Sequence, residues 1–124
     1  MAGDGAGAGR SNVAESLTNT KKGIPAMFVH TVYFWLRRDL DDAQRLRFTQ
    51  GLESLQSIPA AGGSYIGRPA TTSRPVIDRT YDFSRTCLFK DQAEHDVYQV
   101  HPTHLAFVKN CSDLWIRVLV YDAE

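Results

Sequence analysis

The two segments of this chain with the strongest strand character carry large apolar side chains on both of their faces. In residues 27–35 one face holds Phe28, His30, Val32 and Phe34, and the other holds Val29, Thr31, Tyr33 and Trp35. In residues 115–121 the two faces hold Trp115, Arg117, Leu119 and Tyr121, and Ile116, Val118 and Val120. An antiparallel sheet with one face in water alternates apolar and polar residues. This pattern therefore predicts a sheet that is covered on both faces.

Helices can cover one face of such a sheet, and the second face needs another cover, because a large apolar patch is rarely left in water. A second copy of the same sheet, related by a two-fold axis, is the simplest cover. We therefore expect a homodimer. The alternative is a monomer in which the loop of residues 68–79 and the N-terminal segment lie over the sheet.

The remaining elements place this sheet in an α+β fold. A helix is expected from about Asp41 to Ser57, with Gly51 explained by close packing, and a short irregular strand over residues 60–67. A strand over residues 81–90 precedes a helix that begins at Asp91, with Ala93, Val97 and Val100 as its buried stripe. A further helix spans residues 102–111, with Leu105 and Val108 pointing inward. The order β-α-β, β-α-α-β predicts a ferredoxin-like subunit with a four-stranded antiparallel sheet.

Composition bounds the domain organisation and the partners. Residues 1–26 begin with a Gly/Ala-rich run and carry little apolar surface, so we expect a disordered extension, followed by one domain over residues 27–124. The 14 basic and 14 acidic residues give a formal net charge of zero, so we expect neither nucleic acid nor an anionic membrane as a partner. Two cysteines without motif spacing indicate buried thiols in a reducing compartment, the cytoplasm.

The segment from Tyr98 to His104 concentrates a phenol and two imidazoles around Pro102. Proline is favoured in the first turn of a helix and disfavours helix in the residue before it, so one helix ends near Tyr98 and another begins at Pro102. His104 then lies across the turn from Tyr98. His104 could act as a base beside a carbonyl while Tyr98 holds the oxygen where charge develops. Alternatively, the two side chains form a structural corner.

Other polar residues carry weaker signals. His101 and His104 form a His-x-x-His pair, but a metal site needs three or four ligands, and no carboxylate is clearly placed, so no metal is expected. Arg85 lies among apolar residues, where an interfacial ion pair is favoured over an anchor for an anionic ligand. His95 is expected to be exposed, and no phosphate-binding loop or nucleophile motif is present.

The order of these motifs resembles the stress-responsive A/B barrel (Dabb) family. The resemblance rests on Phe28-Val29-His30-Thr31-Val32, on the strand Tyr81–Lys90, and on the Tyr98–His104 turn continuing to Val108. It implies a ferredoxin-like subunit whose sheet packs on its twin as a dimeric α+β barrel. One branch, the olivetolic acid cyclase-type polyketide cyclases, uses a Tyr and a His that match Tyr98 and His104. Its first-strand His corresponds to His30, and another cavity His falls on Phe83 here.

Together these observations predict a homodimer that binds an apolar, oxygen-bearing small molecule, without a cofactor, as a cyclase or isomerase. The expected catalytic residues are His104, Tyr98 and His30. The expected substrate contacts are Phe28, Phe34, Phe83 and His101. The alternative is a non-catalytic stress-response binding or scaffold protein.

Overall fold

The computed structural model of this protein describes residues 27–124. The expected extension over residues 1–26 lies outside the described residues. In chain order the elements are β1 (Phe28–Leu36), α1 (Asp42–Ser54), β2 (Ser64–Gly67), β3 (Phe83–Phe89), α2 (Gln92–Gln99), α3 (Pro102–Cys111) and β4 (Trp115–Ala123). Short 3₁₀ turns follow α1 at Leu55–Ser57 and α3 at Ser112–Leu114.

The four strands form one antiparallel sheet in the order β2-β3-β1-β4. All three helices lie on one side of it, which confirms the ferredoxin-like α+β prediction. The central strand β1 places His30 opposite Cys87 on β3 and opposite Asp122 on β4. Directly paired residues of adjacent strands point to the same side, so these three side chains share the side that the helices cover, here called the helix face.

The helices begin where the sequence indicates. Asp41 caps α1 in a capping box with Gln44, and Asp91 caps α2 by accepting from the Glu94 backbone N–H. Pro102 occupies the first position of α3, and His101 is its N-cap. The α1 helix ends at Ser54, earlier than expected, because residues 55–57 tighten into a 3₁₀ turn.

A bulge between Trp35 and Leu36 corrects the expected faces of β4. Trp35 pairs with Arg117, whereas Leu36 pairs with Trp115. The sequence pattern predicts Trp115 and Arg117 on the same face of β4. The shifted register instead turns Trp115 to the helix face, where its ring packs against Phe34 at a centroid distance of 5.3 Å. Beyond the bulge the alternation holds, so Val118, Val120 and Asp122 lie on the helix face.

The buried stripes expected for the two short helices are partly wrong. Val97, Val100 and Leu105 are exposed, and Ala93 is exposed as well. The α2 helix instead buries Tyr98, and α3 buries Phe107 and Cys111. The short α2 helix could bury either the side that carries Val97 or the side that carries Tyr98. Burying the large Tyr98 ring removes more apolar surface from water than burying a valine does.

Gly51 marks close packing between α1 and α3, as the sequence predicted. A Cβ added at Gly51 would lie 2.7 Å from Cys111 Sγ and 3.1 Å from Phe107 Cδ1. The absence of a side chain therefore lets the two helices approach over the core.

The side of the sheet opposite the helices, here called the outer face, carries Val29, Thr31, Tyr33 and Trp35 of β1 and Arg117, Leu119 and Tyr121 of β4. A depression of about 310 Å³ is lined there by Tyr33, Trp35, Asp78, Tyr81, Leu119 and Tyr121. Tyr121 is 62% exposed. Across residues 27–124 no helix has the length and apolar character that crossing a bilayer would require.

Candidate functional site

A cavity of about 190 Å³ lies between the sheet and helices α2 and α3. Its lining includes His30, Tyr98 and His104, the three residues predicted to be catalytic, together with Phe34 and Arg85. Val108 of α3 and Val118 and Val120 of β4 also line it and remain partly exposed, so the cavity opens between α3 and β4.

The turn between α2 and α3 brings Tyr98 against His104. Their rings meet edge-on with centroids 4.7 Å apart. Tyr98 lies in the last turn of α2, and His104 in the first turn of α3, two residues after Pro102. The proximity that the sequence predicted is therefore present in the structure.

His104 presents a free nitrogen inside the protein. Its Nδ1 atom is buried and has no hydrogen-bond partner among the described residues. Burial lowers the pKa of His104, and the positive charge of Arg85 lowers it further, against an opposing hydrogen bond with the Gln99 backbone. The imidazole is therefore neutral near pH 7, which is the state a general base requires.

Tyr98 is a buried phenol that stays protonated. Burial raises its pKa to about 12, although the nearby Arg85 charge acts in the opposite direction. Its hydroxyl oxygen accepts a hydrogen bond from Arg85 Nη1 at 3.0 Å. Arg85 binds a lone pair of the Tyr98 hydroxyl oxygen, so the hydroxyl proton of Tyr98 remains free to be donated to another group.

Arg85 lies on the helix face and is 2% exposed. Besides Tyr98, it donates to the Leu55 carbonyl at 2.9 Å, to Gln56 Oε1 at 3.1 Å and to Cys87 Sγ at 2.5 Å. The favoured expectation of an interfacial ion pair is wrong for the described chain, since Arg85 points away from the outer face and its partners are uncharged.

His30 forms a pair with Asp122 on the neighbouring strand, with Nδ1 and Oδ1 2.5 Å apart. An ionised carboxylate can only accept, so His30 Nδ1 carries the proton and Nε2 is its basic nitrogen. Burial lowers the pKa of His30 and outweighs the opposite effect of Asp122. The ring lies 5.8 Å from that of Tyr98, which connects the pair to the cavity.

His95 is the one histidine whose exposure was misjudged. Its side chain is 13% exposed, and its ring stacks on Phe28 at 4.6 Å and lies 5.0 Å from His30. The α2 helix turns this residue toward β1 rather than to water, because Phe28 offers it an aromatic surface.

His30, His95 and Asp122 each offer one ligand atom, and these atoms lie within 4.8 Å of one another. Two details disfavour a metal in this arrangement. The 2.5 Å His30–Asp122 contact is shorter than the spacing of two ligands bound at about 2.0–2.2 Å in tetrahedral geometry. Both nitrogens of His95 are also engaged, by Asp96 and by Gln99.

Three of the expected substrate contacts do not line the cavity. Phe28 packs on His95, and Phe83 packs on Phe48 with its other side under Arg68. His101 uses Nδ1 to accept from the Thr103 backbone N–H, which makes it the cap of α3. Phe34 is the fourth expected contact, and it does line the cavity.

Two residues of this site were missed or misread in the sequence. Asp122 breaks the apolar series of Val118 and Val120 on one face of β4, and that break was a usable signal. Arg85 was recognised as unusual, but the partners that keep it inside come from the 3₁₀ turn and α2, which a strand pattern does not reveal.

The arrangement joins a neutral base, a phenol donor and a buried cation on one side of a small cavity with a largely apolar wall. Such a set can take a proton from a carbon acid and hold the oxygen on which negative charge develops.

Comparisons with solved structures show the same fold. A Dabb family protein from Mesorhizobium loti is 28% identical, with a TM-score of 0.61, over 79% of this chain and 95% of that one. A ferredoxin-like protein from Jannaschia, described as dimeric, is 25% identical with a TM-score of 0.60, over 79% and 98%. A hydroxynitrile lyase from Passiflora edulis is 20% identical with a TM-score of 0.64, over 80% and 93%.

No curated protein sequence matches this chain significantly. The family model of the stress-responsive A/B barrel domain matches residues 28–124, which is nearly the whole described chain. The protein therefore belongs to the stress-responsive A/B barrel (Dabb) family.

Proposed function

We propose that this protein binds a small, apolar, oxygen-bearing molecule in the sheet–helix cavity and catalyses a cofactor-free proton transfer on it, such as a cyclisation or an isomerisation. His104 takes the proton, and Tyr98 donates a hydrogen bond to the substrate oxygen. His30, held by Asp122, lines the same space and completes the polar side of the site.

The observation that carries this proposal is the unpartnered Nδ1 of His104. A buried polar atom without a hydrogen bond costs about 1–3 kcal/mol and is rare in a folded protein. In a purely structural corner we would expect this nitrogen to be bonded to a neighbour. His104 lines the cavity beside Tyr98, which supports a role toward a molecule that enters the cavity.

The assembly proposed for the protein is a homodimer built on the outer face. The aromatic and aliphatic side chains of that face are partly exposed in the single chain, and a second sheet would cover them. The similar Jannaschia protein is described as dimeric. Both described cysteines are free and buried, which fits the expected cytoplasmic location.

The hydroxynitrile lyase of the same fold supports catalysis only as an analogy, since a fold accommodates many functions. The non-catalytic alternative has its own observation, because Val97 of α2, Val100 in the turn after it and Leu105 of α3 are exposed apolar side chains that could meet a protein partner. The experiment must therefore report on His104 itself.

The ring opening of 5-nitrobenzisoxazole is a suitable probe of a buried base. The base removes the ring C–H proton, the N–O bond breaks, a nitrile forms, and the electron pair ends on a coloured phenolate oxygen. We expect the wild-type protein to accelerate this reaction, and His104→Ala to reduce the rate by about 10²-fold or more, as loss of a general base does. Tyr98→Phe should reduce it less, because the phenol stabilises charge but removes no proton.

Lys109→Ala is the matched control, since Lys109 is an exposed base on the same helix as His104. Its rate should equal that of the wild type. Equal rates for wild type and His104→Ala would refute the proposed base and favour the binding or scaffold function.

A further inference from the structure

Arg85 is a buried cation whose described partners are all uncharged. Its guanidinium donates to a carbonyl, an amide oxygen, a phenol and a thiol, and none of the ion pairs between described residues includes it. Burial raises the pKa of the Cys87 thiol, so that group is neutral as well. A buried charge is normally paired, because leaving water costs it several kcal/mol.

The geometry also leaves Arg85 an unused donor. A guanidinium carries five N–H groups. Nε uses one, Nη1 uses two and Nη2 uses one in the bonds given above, so one N–H of Nη2 has no partner within residues 27–124. Arg85 lines the cavity, and so do Tyr98, with its free hydroxyl proton, and His104.

No carboxylate balances this charge from the cavity wall. The described lining residues include no Asp or Glu. Asp122 lies nearby on β4, but it accepts from His30 and its side chain is 37% exposed. Burial lowers the pKa values of His30 and His104, so Arg85 is the permanent charge among the described residues that line the cavity.

We infer that the cavity selects small, single-ring molecules that carry one anionic oxygen group, a carboxylate or a phenolate, and that Arg85 with the Tyr98 hydroxyl receives this group. The ring then lies against Val32, Val118 and Val120. The volume of about 190 Å³ suits this size, since an apolar cavity of about 150 Å³ accepts benzene. This inference names the ligand class of the proposed site and rests on the proposed function for its location.

Benzoate and benzamide provide the test, because they share size and shape and differ in charge. Binding of each is measured by calorimetry or by NMR titration. We expect the wild-type protein to bind benzoate at least about tenfold more tightly than benzamide. Equal binding, or no binding of benzoate at millimolar concentration, would overturn the inference.

Variants at Arg85 locate the preference. Arg85→Gln should bind the two probes equally, whereas Arg85→Lys should keep most of the preference for benzoate. If Arg85→Gln does not fold, the inference is still tested by the relative binding of benzoate and benzamide to the wild-type protein and to Arg85→Lys. The matched control is Arg47→Gln, which removes a positive charge from α1 outside the cavity and should leave the preference unchanged.

The outcome is separable from that of the proposed function. His104→Ala should lose the ring-opening activity and keep the preference for benzoate, since Arg85 and Tyr98 remain. A wild-type protein with His104-dependent activity and no preference for benzoate would contradict the inference alone.

Discussion

His30 on the central strand donates a hydrogen bond from Nδ1 to the Asp122 carboxylate on β4, across 2.5 Å. The carboxylate favours the charged imidazole, but burial has the larger effect, and the pKa of His30 is lowered. The strand pair therefore holds a neutral, oriented imidazole beside the cavity rather than a closed ion pair.

The lowered pKa values of His30 and His104 make the folding stability depend on pH. Below about pH 6.5 the unfolded chain binds protons that the folded chain excludes, so stability is complete above this value and falls as the pH decreases. Urea unfolding should therefore show lower stability at pH 5.5 than at pH 7.5. The decrease should be smaller in His104→Gln. Equal or greater stability of the wild type at pH 5.5 would contradict the lowered pKa values.

Gly51→Ala should destabilise the protein, although alanine is the better helix former by about 1 kcal/mol. The new Cβ would lie 2.7 Å from Cys111 Sγ, and overpacking of this kind costs about 1–3 kcal/mol. Gln50→Ala, at the adjacent exposed position of α1, is the control and should be neutral. Denaturant unfolding measures both, and a gain of stability in Gly51→Ala would show that the two helices separate easily.

The homodimer should dissociate when a charge is placed on the outer face. Thr31→Lys and Leu119→Lys both add an ammonium there. Val118 lies on the opposite face of β4 and lines the cavity, so a charge at Val118 would not test the dimer. Sedimentation should show dimers for the wild type and for the control Val97→Lys on α2, and monomers for the two outer-face variants. A monomeric wild-type protein at micromolar concentration would end the proposal of a dimer.

Residues 1–26 should contribute nothing to folding. A chain that begins at Met27 retains every element of the described fold, so its Tm should equal that of the full chain. Differential scanning calorimetry of the two chains checks this. A loss of several degrees would mean that the N-terminal segment packs on the domain.

Local sequence rules were sufficient for the element order and for the turn at Pro102. Caps at Asp41 and Asp91 and proline at the start of α3 act within a few residues, so they can be read along the chain. The same turn placed Tyr98 beside His104.

Features that depend on distant segments were not predictable in this way. The bulge at Trp35 and Leu36 arises from pairing with β4, and it moves Trp115 into the core. The choice of Tyr98 over Val97 as the buried side of α2 depends on the aromatic surface that β1 and β3 present. Arg85 is held inside by groups from two distant segments, the 3₁₀ turn after α1 and the helix α2.

The most direct test of the central claim pairs two measurements on His104→Ala, its free energy of unfolding and its rate of 5-nitrobenzisoxazole ring opening. If His104 acts on a ligand, the rate falls by about 10²-fold while stability falls by no more than about 1 kcal/mol, because only the hydrogen bond with the Gln99 backbone is lost and Nδ1 gives up none. If the residue is a structural corner, stability falls by about 1–3 kcal/mol and the rate is unchanged, and that result would contradict the account.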